Sequence, residues 1–211
     1  MTNEQAGTRE RALEAAEQLF VAHGYDGTSL RAIATLANVN LGSLVYYFAT
    51  KERLFRALCE ERLSRIIAVQ AAALKACEAR LDAGEPVTLE EVLRGLVAPS
   101  LPGGHAPGEL RGLYARLFTD PSEAVVKIGK ALFFETSQLT YRLARRLLPQ
   151  LDEAEFHWRY VGALGALVIT QSFAERIAAL TNASPPTLPP DQLSETITGV
   201  IARGLGGGMP G

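Results

Sequence analysis

The chain has 211 residues, a formal net charge of −2 and a pI near 6.0, so it can bury a substantial core in one or two domains but offers no global attraction for nucleic acid. Met1 to Arg11 is polar and no apolar run approaches the roughly 20 residues of a membrane span, so neither a signal peptide nor a membrane helix is expected and the cytoplasm is the expected compartment. Cys59 and Cys77 fall about five turns, roughly 27 Å, apart on one continuous helix, too far to pair within the chain, and are expected as buried thiols.

Between Thr8 and His23, Ala12, Leu13, Ala16, Leu19 and Phe20 form an apolar stripe at helical spacing, and Gly24 supplies a stop. Thr28 is the predicted N-cap of a second helix whose inner stripe is Leu30, Ile33, Ala34 and Ala37. Asn38 tolerates the left-handed turn that ends it, and Asn40 can cap a third helix with Leu44 and Phe48 facing inward. That helix leaves Leu41, Gly42, Ser43, Val45 and Tyr46 outward, where a solvated helix carries Lys and Glu. Two helices across a short corner, the second with such a face, fit a helix-turn-helix that enters a DNA major groove; a plain hairpin inside a bundle fits the same spacing equally well. Around this stretch, from Gly24 to Arg56, Arg31, Lys51, Arg53 and Arg56 outnumber Asp26 and Glu52, whereas acids gather in the first helix.

Thr50 caps a long helix that starts at Lys51-Glu52-Arg53 and is predicted to reach Leu81. Thr88 and Glu91 make a capping box for a helix to about Val97, Pro99 to Gly108 is a loop, and Glu109 to Phe118 is a short helix. Asp120-Pro121-Ser122-Glu123 combines an N-cap, a proline at the first helical position and a glutamate at the third, opening a helix to about Leu148. Asp152 opens another to about Leu180, Asn182 to Pro190 is a proline-rich linker, and Asp191 to Arg203 is the last helix. The expected fold is all-α with about nine helices. A three-helix helix-turn-helix domain is expected over 1–50, and a helical effector-binding and dimerisation domain over 51–211.

Thr8 to Phe55, with HGYDGTSLRAIA, NVNLGSLVYYF and TKERLF in order, resembles the DNA-binding region of the tetracycline-repressor (TetR/AcrR) family. Asn38 stands where Gly is common, Asn40 where Ser is, Leu41 where a basic or polar residue is, and Val45 where Tyr is frequent. The resemblance implies a homodimeric transcriptional regulator, a repressor in the expected case, that binds a palindromic duplex operator and is released by a small-molecule effector. It also assigns roles within the head. Thr28, at a helix N-terminus, and Lys51, just past the reading helix, would meet phosphate; Tyr46 and Tyr47 would donate hydroxyls to the DNA backbone. Gly42 and Ser43 belong to the same face, Gly42 allowing close approach, while Leu41 and Val45 would touch thymine methyl groups.

Catalysis has little support: His23, His105 and His157 fall in separate elements without metal spacing, and no phosphate loop or nucleophile elbow occurs. Glu153 and His157, one turn apart, read as a surface ion pair. No enzyme activity, metal or cofactor is expected, and the alternative is an all-α enzyme or a non-DNA helical adaptor. In the C-terminal part Phe133, Phe134, Tyr141, Trp158 and Phe173 are the predicted walls of an effector pocket, with Ser137, Gln138, Thr170 and Gln171 orienting the ligand. The run Val161–Ile169 is apolar around its circumference, so one face can meet the core and another a second subunit. Gly162, Gly165, Leu193, Ile197, Val200 and Ile201 are the expected dimer contacts.

Overall fold

The structure is a computed structural model that describes residues 3–101, 110–182 and 188–207; the side chains of residues 3–6, 110–111, 171–176 and 178–179 are also outside the description. The described residues form nine α-helices and no strand: α1 (Asn3–His23), α2 (Leu30–Leu36), α3 (Leu41–Phe48), α4 (Lys51–Asp82), α5 (Leu89–Val97), α6 (Leu110–Thr119), α7 (Glu123–Leu147), α8 (Glu153–Thr181) and α9 (Pro190–Gly206). A 3-10 turn at Ala98–Ser100 follows α5. Residues 102–109 of the expected loop and 183–187 of the expected linker lie outside the described residues.

Most helix ends form for the reasons legible in the chain. Asn40 Oδ1 accepts the Gly42 N–H at 2.6 Å, Thr50 Oγ1 accepts the Arg53 N–H at 3.1 Å, and the Thr88–Glu91 capping box is complete in both directions. Asp152 likewise accepts the Glu155 N–H at 2.8 Å. Gly24 (φ 73°) ends α1 and Asn38 (φ 51°) ends α2, both in the left-handed region. Two caps differ from expectation. Ser29, not Thr28, caps α2 through the Ala32 N–H, and α7 starts at Glu123 behind Ser122, leaving the Asp120 carboxylate for other partners.

The chain splits into two compact units, one of residues 1–64 with 112–132 and the other of residues 65–111 with 133–211. The unit that carries the head is therefore larger than residues 1–50: it adds the first turns of α4, most of α6 and the start of α7. Its core joins Leu13, Ala16 and Phe20 of α1, Ile33 of α2, Leu44 of α3 and Leu54, Phe55 and Leu58 of α4, all essentially inaccessible. Phe20, Tyr25 and Phe55 form an aromatic cluster, Phe55 meeting Phe20 edge-on at 4.8 Å and Tyr25 at 5.5 Å.

In the second unit α9 packs on α5 and α8, burying Leu93, Val97, Phe156, Leu167, Ile201 and Leu205 together. A row of exposed pairs, Lys75–Glu135, Arg142–Glu78 and Arg146–Asp82, links α4 to α7; such pairs contribute little each and mainly fix register. Cys59 and Cys77 are free, buried thiols of α4, and burial pushes both above the usual thiol range, which disfavours the reactive thiolate.

Candidate nucleic-acid interface

The outward face of α3 is as its composition requires. Leu44 and Phe48 are buried, while Gly42, Val45 and Tyr46 are exposed, Tyr46 at 82%, and Leu41, Ser43 and Tyr47 are half-buried beside them. Tyr46 and Tyr47 lie edge-to-face at 5.5 Å, which holds both rings on the surface of the helix. Gly42 has a local role as well: a Cβ there would stand 3.1 Å from Asn40 Oδ1, the atom that caps the helix. Every residue of α3 expected on the reading face is thus at least partly accessible, and the helix itself contains no charge.

Thr28 and Lys51 are placed differently from the free phosphate ligands the sequence suggests. Thr28 is buried, and its hydroxyl donates to the carbonyls of Gly24 (2.8 Å) and Leu19 (3.1 Å), closing the corner between α1 and α2. Its N–H donates to the Tyr25 carbonyl at 3.2 Å, so neither donor is available to a ligand. Lys51 folds back. Its Nζ donates to the carbonyls of Tyr25 (2.9 Å) and Thr28 (3.1 Å) and lies 4.2 Å over the Tyr25 ring, tying the start of α4 to the approach to α2. Replacing Thr28 with valine keeps the volume but removes the one hydroxyl proton that the Gly24 and Leu19 carbonyls share in this corner. The expected result is a loss of about 1–3 kcal/mol in urea-denaturation stability.

The cations that face solvent around the head are others. Arg31 in α2 and Arg53 in the first turn of α4 are exposed and make no ion pair among the described residues. By contrast, Arg62 holds Glu10 (2.6 Å) and Glu17 (3.1 Å) and Arg9 holds Glu61 (2.6 Å), so acids of α1 and α4 are neutralised internally. The Arg62 hydrogen bond is the main cause that keeps the Glu10 carboxyl below its usual range.

A fold of this kind, with an uncharged exposed face on the second helix of a helix-turn-helix, can be compared with known proteins. The family description "Bacterial regulatory proteins, tetR family" matches residues 12–58, and "Tetracyclin repressor-like, C-terminal domain" matches residues 92–204. The chain belongs to the TetR family. That is a family of bacterial regulatory proteins. The HTH-type transcriptional repressor NicS of Pseudomonas putida is 35% identical over 91 residues, 43% of this chain and 39% of its own length. The repressor AcnR of Corynebacterium efficiens is 34% identical over 59 residues, 28% of this chain and 31% of its own. These matches span less than half of those TetR-family repressors. Among solved structures, the fatty acid degradation regulator FadR from Bacillus halodurans shares the fold with a TM-score of 0.61 at 19% identity, covering 95% of this chain and 98% of that one. A TetR-like transcriptional regulator from Rhodococcus does so at 0.60 and 21%, covering 95% and 97%.

Among the described residues of the second unit, the side chains expected to surround an effector are dispersed. Phe134, Ser137, Gln138 and Trp158 are exposed on the outer faces of α7 and α8, Trp158 at 71%, so they wall no enclosed space. Phe133 is buried, Tyr141 packs edge-on against Phe156 and Tyr160 at 5.1 Å, and Thr170 Oγ1 donates to the Ala166 carbonyl. The side chains of Gln171 and Phe173 lie outside the described residues. A small apolar hollow opens elsewhere in this unit, lined by Leu96, Val97, Thr140, Tyr160, Leu167 and Ile201 among others. In the same unit, buried Gln70 donates to the Leu96 carbonyl at 2.6 Å while its Oε1 has no partner among the described residues. Burial pushes the Tyr160 phenol up to about 12, so it is a neutral donor.

The expected dimer contacts divide. Gly162, Gly165 and Val200 are exposed and Leu193 is half-buried. Ile197 and Ile201 point the other way, into the core against α5 and α8, and are not surface residues. Glu153 and His157 form no ion pair; Glu155 pairs instead with Arg159 at 2.6 Å, the more basic partner at the same spacing. Among the described residues no three His, Cys, Asp or Glu side chains group as metal ligands, with His105 outside the description, and no helix is long and apolar enough to cross a membrane.

Proposed function

We propose that the chain is a repressor that binds a palindromic duplex operator as a homodimer, reads bases with the α3 face Leu41, Gly42, Ser43, Val45, Tyr46 and Tyr47, and is released by a small apolar effector. The observation that carries this reading is the exposed, uncharged α3 face flanked by Arg31 and Arg53, which form no ion pair among the described residues. An aliphatic face can discriminate thymine methyl groups but supplies no bidentate contact to guanine or adenine, so base reading falls to Ser43, the tyrosines and shape. Arg31 and Arg53, rather than Thr28 and Lys51, are the phosphate ligands that the geometry favours, since their guanidinium groups face solvent while Thr28 and Lys51 are engaged within the head. Relatives named as repressors support the sign of regulation. The apolar lining of the small hollow in the second unit is consistent with an apolar effector.

The outer stripe Trp158, Val161, Gly162, Gly165 and Ile169 on α8, with Val200 on α9, supports homodimerisation. Two heads spaced one helical turn apart, about 34–36 Å, read a palindrome that one head cannot. Fluorescence anisotropy with duplexes selected from random sequence tests the whole reading. Arg31→Ala or Arg53→Ala should weaken every duplex alike and make the salt dependence shallower, by about one unit for each phosphate that a head no longer neutralises. Exchanges at Leu41 or Val45 should instead reorder the selected sequences. A wild-type protein that selects no duplex at low salt would end the proposal and leave a helical adaptor as the better reading.

A further inference from the structure

The last turn of α1 is held by a segment nearly a hundred residues further along the chain. A continuing helix would let the Tyr25 N–H donate to the Val21 carbonyl, but Gly24 at φ 73° turns the backbone away and leaves both groups open. Two side chains replace that one bond. The Asp120 Oδ2 accepts the Tyr25 N–H at 2.8 Å, and the Arg116 guanidinium donates to the Val21 carbonyl at 2.7 and 3.0 Å and to the Ala22 carbonyl at 3.3 Å. Asp120 is itself braced by the Ser122 N–H and hydroxyl. One further turn back, Gly112 lets the helix approach: a Cβ there would stand 2.5 Å from Val21 Cγ1. Gly112, Arg116 and Asp120 are spaced by four, so a single face of α6 and the turn behind it carries all three.

What they hold leads directly to the reading head. The Tyr25 carbonyl accepts from Lys51 and from the Thr28 N–H, and Thr28 precedes the Ser29 cap of α2. The corner is therefore pinned from both sides, by α4 through Lys51 and by α6 and the turn behind it through Arg116 and Asp120. Arg116 and Asp120 both lie within the part of the chain that matches the family's C-terminal domain, yet they pack in the unit that carries α3.

We infer that Gly112, Arg116 and Asp120 are positioning residues for operator binding: this face of α6 latches the corner after α1 and so sets the placement of α2 and α3 on DNA from the C-terminal half of the chain. The inference rests on the operator-binding reading above. A latch of this kind needs an acceptor at position 120 and close approach at position 112, and each requirement has a conservative rescue.

The test uses the full-length protein and a duplex selected from random sequence by the wild type. Asp120→Ala should weaken operator affinity about tenfold, the size of one charge-assisted hydrogen bond. Hydrogen exchange over residues 21–28 should speed up, with helicity and oligomeric state unchanged. Asp120→Asn keeps an oxygen for the Tyr25 N–H and should recover most of the affinity and protection. Gly112→Ala should weaken binding although alanine is the better helix former, and adding Val21→Ala should restore it by making room for the new methyl group. Wild-type affinity in both Asp120→Ala and Gly112→Ala overturns the latch, as does an Asp120→Asn protein no better than Asp120→Ala. Failure of the wild type itself to bind any duplex removes the operator reading and the positioning role with it.

Discussion

Replacing Gly165 with glutamate is expected to give a folded monomer whose operator affinity has fallen from the specific range, about 10⁻⁸–10⁻¹¹ M, towards the non-specific range of about 10⁻⁴–10⁻⁶ M. Within one chain the substitution is harmless. Gly165 is exposed, a Cβ there meets nothing within 4 Å, and glutamate is the better helix former. Across the proposed interface it is not, because the stripe of Trp158, Val161, Gly162, Gly165 and Ile169 is the surface that a second α8 would cover. Two charges, one from each subunit, would be desolvated together near the two-fold axis. Sedimentation velocity, circular dichroism and anisotropy on the same sample separate the outcomes. A dimer of wild-type strength rules out this surface, and an unfolded product assigns Gly165 to the core of one subunit.

The expected elements were legible where a single local cause decides them. Asn38 and Gly24 take left-handed backbone, Asn40 and Thr50 cap the helices after them, and Thr88 with Glu91 closes a capping box within four residues. The misplaced caps have a non-local cause. Thr28 and Ser29 are both cap residues by type, and Ser29 takes the role because the end of α1 and the turn after it offer the Thr28 hydroxyl the Leu19 and Gly24 carbonyls. Asp120 gives up the cap of α7 for the Tyr25 N–H, a partner 95 residues away. Ala49 at φ 59°, the turn between α3 and α4, carries no signal in its residue type.

The reading face was legible for a different reason: exposed positions of α3 lack the charges that solvent would favour, and this absence is visible without coordinates. Lys51 was not, since a lysine after a helix looks the same whether it faces solvent or folds back onto Tyr25 and Thr28. In the second unit, the run Val161–Ile169 of α8 is apolar all round, so periodicity alone cannot rank its faces there. Tyr160 points in and Trp158 out, a difference that an expectation built on aromatic residues as a class does not see. On α9 the same ambiguity put Ile197 and Ile201 with Val200, although only Val200 is on the outside, at 53% exposure.

Phe55→Ala should be the most damaging single change to the head. Its ring is inaccessible and meets Phe20 at 4.8 Å and Tyr25 at 5.5 Å, and Tyr25 in turn supports the Lys51 ammonium at 4.2 Å. Truncation removes the transfer free energy of a full aromatic side chain, leaves a cavity among rings that cannot collapse, and loosens the Lys51 anchor. The expected cost is about 3–5 kcal/mol, a large share of the roughly 5–15 kcal/mol that holds a domain folded. Because the chain contains one tryptophan, Trp158, and it lies in the other unit, the two units report separately. In a urea titration, far-UV circular dichroism should show an early loss of helix from the first unit, while Trp158 fluorescence changes at higher denaturant. Operator binding should vanish with the first transition. Coincident transitions at the wild-type midpoint would show that Phe55 does not hold the head, and coincident transitions shifted down together would show that the two units unfold as one.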